Sequence, residues 1–127
     1  MLAQVEATYP EEACGLLSGK GGKVKFHFPV TNTLHSKKRF NMEGKEMIAV
    51  FEWMEAKSQE LTAIYHSHPG GKPELSRTDL VDDHYSEVVK IIIAGQPGAW
   101  QVSAFHIISS SEILPVEIHQ DMATKNK

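Results

Sequence analysis

Cysteine is nearly absent: Cys14 is the single one among 127 residues. One thiol cannot close an internal disulfide, so the fold cannot depend on an oxidising compartment, and there is no Cys-x-x-Cys pair for redox or thiolate-metal work. Cys14 is expected to be a small buried apolar group. Long hydrophobic runs are missing too. No stretch approaches the roughly 18 to 20 apolar residues that a membrane span needs, and the opening MLAQVEATYPEE has neither a basic n-region nor an apolar h-region. The expectation is a soluble, unprocessed, cytoplasmic protein with no membrane partner. Positive charge is not in excess either: 13 Lys and Arg against 16 Asp and Glu leave a formal net charge of -3. Non-specific nucleic-acid affinity comes from clustered cations, so nucleic acid is not an expected partner. The basic cluster Lys37-Lys38-Arg39 reads as a solvated loop.

What the sequence does carry is apolar material for one core, 41% of its residues. That suits a single domain over residues 1–120 with a polar tail over 121–127. Residues 2–7 read as the end of a helix, stopped ahead of Pro10 because proline disfavours a helical predecessor and has no donor. Residues 13–18 and 23–30 read as an antiparallel hairpin turned at Gly21-Gly22. The polar stretch 31–40 has no period and reads as a loop, with a short strand around 39–42. Over 43–58, Met47, Ile48, Val50, Phe51 and Met54 recur at helical spacing. Residues 62–65 read as a short strand running into His66-Ser67-His68-Pro69-Gly70-Gly71. Ser76 reads as the N-cap of a helix to about 85, with Asp79 at its third position, where a carboxylate is favoured. Residues 88–94 are almost continuously apolar, which marks a buried central strand, and a turn at 95–98 leads into strands over 100–108 and 112–119. Trp53 and Trp100 read as packing residues. The pattern predicts one layered α+β or α/β domain.

The chemistry gathers after residue 65. Residues two apart on an extended strand share a face, so His66 and His68 project together and Ser67 points away, toward a structural hydrogen bond. A turn through Gly70, Gly71 and Pro73 can return the next helix so that Asp79 supplies a third ligand. Two histidines and one carboxylate with an open fourth position are the donor set of catalytic zinc. By itself, His-x-His more often marks a surface or hydrogen-bonding feature, and Ser-x-x-Asp an ordinary helix cap. The combination is what points to a metal, together with the acidic Pro10-Glu11-Glu12 upstream. His27, His35, His84, His106 and His119 have no ligand-like spacing and read as structural or solvent-facing.

These residues resemble the JAMM (MPN+) metalloproteases, whose motif is an upstream Glu, then His-x-His-Pro, then Ser-x-x-Asp. Here it reads Glu12, His66-Ser67-His68-Pro69, Ser76 and Asp79, and the segment 9–17 is similar to the opening of the bacterial and archaeal members. The resemblance covers nearly the whole chain. It implies a deaminase-like three-layer α/β/α sandwich with a mixed, mostly antiparallel sheet. It also implies one Zn²⁺ on His66, His68 and Asp79, Glu12 as general acid and base, and Ser76 as oxyanion support. Glu12 is preferred to Glu11 on that alignment and because it directly precedes the apolar strand.

Compact members of this type resemble enzymes that cut after the Gly-Gly tail of ubiquitin-like sulfur carriers or their conjugates, so the implied partner is such a carrier. The loop 31–41 is the expected neighbour of an extended tail. Two departures bear on this. The segment before Pro-Glu is shorter than the family's, which leaves the oligomer open, a homodimer included, and the short interval after Asp79 disfavours a dedicated deubiquitinase. Two other readings remain at this level: a non-catalytic MPN scaffold, whose kind typically lacks ligands that are all present here, and a zinc hydrolase or deaminase of a small molecule. The His-x-Glu and Pro-Cys-x-x-Cys signature of nucleobase deaminases is absent.

Overall fold

The hairpin read at Gly21-Gly22 is the first element pair of a six-stranded sheet. In the computed structural model, which describes residues 1–81, 88–109 and 112–119, both glycines hold positive φ, 59° and 79°, as a two-residue turn requires. It joins β1 (Cys14–Lys20) to β2 (Lys23–Val30). Around them lie α1 (Leu2–Thr8), α2 (Gly44–Ala56), β3 (Glu60–Pro69), α3 (Arg77–Val81), β4 (Val89–Gln96), β5 (Ala99–Ser109) and β6 (Glu112–Val116). The strand order is β2-β1-β3-β4-β5-β6. Every neighbouring pair is antiparallel except β3 and β4, which run parallel and therefore need the long connection that contains α3.

Alternation along the strands sorts the core into two layers. Leu17, Ala63, Tyr65, Ile91, Ile93 and Ala104 face one way and meet Val5 of α1. Cys14, Leu16, Val30 and Ile64 face the other way and meet Met42 and Met54 of the α2 layer. Helix, sheet and helix form the expected three layers, and the mixed, mostly antiparallel sheet is the one anticipated. α2 starts at its cap Glu43, whose carboxylate accepts the Glu46 N–H at 2.7 Å.

Three local differences from the sequence reading have physical causes. The strand expected over 62–65 runs on to Pro69, so both histidines lie inside the ladder. His66 pairs with Cys14 on one side and Ile92 on the other, and these two neighbours keep the chain extended. The strand expected near 39–42 is reduced to a single bridge, Asn32 with Met42, because the Asn32 side chain takes up backbone groups there that a ladder would pair. β6 stops at Val116 rather than 119, its last partner being Ala104. The continuation of α3 to 85, His84, part of the 109–111 turn and the tail 121–127 lie outside the described residues. No helix among the described residues is long and apolar enough to cross a membrane.

Candidate active site

β3 carries two histidines on the α2 side of the sheet and one serine on the α1 side. His66 is 4% exposed and Ser67 fully buried. The Ser67 hydroxyl accepts the Ala13 N–H at 2.8 Å, and the Ser67 N–H donates to the Ala13 carbonyl at 2.9 Å. Ser67 thus fastens the start of β1 to β3, the structural role read from strand alternation.

Asp79 returns to the histidines from the first turn of α3. Its Oδ1 lies 3.0 Å from His66 Nε2 and its Oδ2 3.1 Å from His68 Nε2, while the two imidazole nitrogens are 2.9 Å apart. One ligand atom from each of the three residues lies within 4.8 Å of the others. The donor set itself tests the fit to a cation. The Nδ1–H of His68 donates to the Lys72 carbonyl at 3.0 Å, so its bond to Asp79 requires a second proton on Nε2. A metal ion bound here would take the place of that proton, and a backbone partner on the opposite ring nitrogen is the usual support of a metal-ligating histidine. Two imidazoles and a carboxylate converging in this way fit a divalent cation, which His66, His68 and Asp79 would hold.

The titration behaviour follows from burial set against this pairing. Burial dominates at His66 and lowers its pKa despite Asp79, which keeps the ring neutral. At His68 burial also lowers it, but the hydrogen bond to Asp79, the Lys72 carbonyl and the nearby carboxylates outweigh burial and raise it. Asp79 is held well below the usual carboxylate range, because the bonds to His66 and His68 overcome the desolvation that would raise it.

Glu12 is buried, 4% exposed, and lies within electrostatic reach of both His68 and Asp79. Burial pushes its carboxyl up to about 8, with His68 opposing and Asp79 adding to the rise. Its neighbour Glu11 is partly exposed and pairs with His35 at 3.2 Å, so the two carboxylates are separated by environment. Ser76 stands at the exposed start of α3, where its Oγ accepts the Asp79 N–H at 3.1 Å.

With that geometry established, the comparison with known proteins decides the family. Residues 1–107 match the family described as prokaryotic homologs of the JAB domain. The chain belongs to this family. As a prokaryotic JAB domain it is 34% identical over 92 residues to a protein of Mycobacterium tuberculosis named CysO-cysteine peptidase, a match covering 67% of this chain and 63% of that protein. It therefore spans less than two thirds of that relative's length. A protein of Pyrococcus furiosus named desampylase is 32% identical over 116 residues, covering 89% of this chain and 82% of the relative. Among solved structures, a protein of Desulfitobacterium hafniense superposes with a TM-score of 0.81 at 26% identity, covering 94% of this chain and 84% of that one.

Two residues of this JAB domain were not legible as part of the site. Phe40, from the 31–41 loop, stacks on His66 with ring centroids 4.5 Å apart at 25°. Asn32, buried at 6% exposure, ties that loop to the Glu12 carbonyl. Neither follows a period, and a polar loop offers no signal of what it will cover. Among the other described histidines, His27 meets the Tyr65 hydroxyl, His35 pairs with Glu11, and His119 pairs with Glu117 at the surface, in keeping with the structural or solvent-facing roles expected of them. Trp53 packs on Phe26 and Phe28, and Trp100 on Tyr9 and the α1-side core.

Proposed function

We propose that the protein is a zinc-dependent peptidase or isopeptidase that hydrolyses the amide bond after the Gly-Gly tail of a ubiquitin-like sulfur-carrier protein or its conjugate. The observation that carries this reading is the convergence of His66, His68 and Asp79 beside a buried carboxylate, Glu12. Relatives named CysO-cysteine peptidase and desampylase support the substrate class. When bound by His66, His68 and Asp79, zinc supplies a Lewis acid for the scissile carbonyl and lowers the pKa of water.

Everything else falls to the chain. Ionised Glu12 takes a proton from the attacking water as oxygen bonds to the carbonyl carbon. It then delivers that proton to the amine nitrogen as the C–N bond breaks, so one base serves both steps and is regenerated. Ser76 Oγ already accepts the Asp79 N–H, which leaves its own O–H free to donate to the oxyanion. Its exposure lets a substrate reach it.

The test is to incubate zinc-loaded protein with carrier proteins extended past Gly-Gly, beside a Glu12→Gln variant. The expected result is cleavage after Gly-Gly, reduced about 10² to 10⁴-fold in the variant. No cleavage of several carriers by protein carrying stoichiometric zinc would sink the reading, and full activity of Glu12→Gln would remove the assigned base.

A further inference from the structure

The backbone of Glu12 lies outside the sheet ladder. β1 begins at Cys14, and Ala13 is secured to β3 through Ser67. Glu12 is secured instead by the 31–41 loop: its N–H donates to the Ser36 carbonyl at 2.7 Å, and its carbonyl accepts the Asn32 Nδ2–H at 3.1 Å. That loop is mostly exposed and has no ladder of its own beyond the Asn32–Met42 bridge.

The Asn32 side chain substitutes for the missing ladder. Besides the Glu12 carbonyl, its Nδ2 donates to the Arg39 carbonyl at 3.0 Å. Its Oδ1 accepts the Leu34 N–H at 3.1 Å and the Asn41 N–H at 3.0 Å. All four hydrogen-bonding positions of the amide are in use, in a buried location where an unmet partner is costly. The segment it closes, 39–41, is the one that places Phe40 against His66. One amide therefore joins the backbone of Glu12 to the ring that covers a histidine of the triad.

We propose that Asn32 is a positioning residue for the reaction, holding Glu12 in register with the His66–His68–Asp79 centre by fastening the 31–41 loop over it. It touches no reacting atom and acts through Glu12. This role of Asn32 rests on that of Glu12 as the base. Displacing a reacting group by about 1 Å can cost on the order of 10²-fold in rate, while the ligands on β3 and α3 stay where the sheet and the helix start put them.

The test compares Asn32→Ala and Asn32→Asp with the unaltered zinc-loaded protein. Asp keeps the acceptor for Leu34 and Asn41 but turns an oxygen toward two carbonyls, so it is the harsher change. In Asn32→Ala, kcat on a Gly-Gly fusion is expected to fall about 30- to 100-fold, with KM within about 3-fold and zinc stoichiometry unchanged. In a Glu12→Gln background the same substitution is expected to add less than about 3-fold, because the group it positions is already gone. Amide hydrogen exchange gives a readout that needs no activity. Exchange of the Glu12 amide is expected to accelerate in Asn32→Ala while the Ile64 and Ile92 amides of the core keep their protection. Loss of zinc, an unchanged kcat, effects that multiply in the double variant, or an unchanged Glu12 amide would each overturn the proposal. A wild-type protein that loads zinc and cleaves no carrier refutes the peptidase reading instead, and the exchange measurement then still decides whether Asn32 holds Glu12.

Discussion

Ser76 and Asp79 hold each other at the start of α3. The Ser76 N–H donates to Asp79 Oδ2 at 2.8 Å, and the Asp79 N–H donates to Ser76 Oγ at 3.1 Å. This is a capping box with aspartate in the place of glutamate. The same Oδ2 lies 3.1 Å from His68 Nε2, so the bond that starts the helix also aims the carboxylate at the histidines.

Removing the serine hydroxyl is expected to cost on two counts. Ser76→Ala should destabilise the fold by about 1 kcal/mol through the lost cap and weaken metal affinity about 10-fold through the loosened carboxylate. Ser76→Thr, which can cap, should restore most of both. Thermal unfolding and titration against a metal chelator check the two parts, and wild-type affinity in Ser76→Ala would show that Asp79 needs no such support.

The ligand set predicts its own stoichiometry. The unaltered protein should carry close to one zinc per chain after loading, and His68→Ala well under a tenth of that, because two donors alone hold zinc poorly in water. Elemental analysis after desalting decides it. A loaded His68→Ala protein would move the metal elsewhere.

Glu12 makes metal-free stability depend on pH in an unusual direction. Its carboxyl lies near 8 in the folded chain against 4.5 for the free group, raised first by burial. The folded state therefore binds more protons than the unfolded state between those values. Stability from this group is fully present below about 4.5 and is lost as pH rises through 8. Glu12→Gln is neutral throughout, so in metal-free protein the Tm of the variant should gain on wild type between pH 5 and pH 9. Zinc loading should shrink the gap, since a cation beside the carboxylate favours its ionised form. A gap that stays constant across pH would mean Glu12 is ionised in the metal-free fold.

Gly15 is required by Tyr65, its direct partner across β1 and β3. A Cβ on Gly15 would overlap the Tyr65 ring and hydroxyl, and that hydroxyl donates to Gln4 of α1. Gly15→Ala should cost about 1 to 3 kcal/mol from overpacking. In a Tyr65→Ala background the same change should cost much less. Denaturant unfolding of the two single variants and the double variant tests this, and fully additive losses would mean that the two residues do not compete for one space.

Much of the fold was legible because its elements are local. β2 appears over the residues read as a strand, since Gly21-Gly22 and Val30 bound it. α2 starts within a residue of its expected beginning because Glu43 caps it. What was not legible depended on pairing with distant chain. β3 is longer than its own pattern suggests because Cys14 and Ile92 flank His66. The short strand looked for near 39–42 gave way to a loop because the side chain of Asn32 satisfied the backbone first.

The same division runs through the site. Sequence by itself determined that His66 and His68 share a face and that Ser67 opposes them, since a side-chain period of two belongs to any extended backbone. It also determined that Asp79 sits in the first turn of a helix capped by Ser76, a relation spanning only three residues. The resemblance and its place directly before the apolar strand already favoured Glu12 over Glu11, but only the tertiary structure put its carboxylate within reach of His68 and Asp79. Glu12 is enclosed, with its carboxyl pushed up to about 8, while Glu11 pairs with His35 at the surface. Desolvation and Coulomb interaction depend on what surrounds a group in space, and neither is set by a residue's neighbours along the chain.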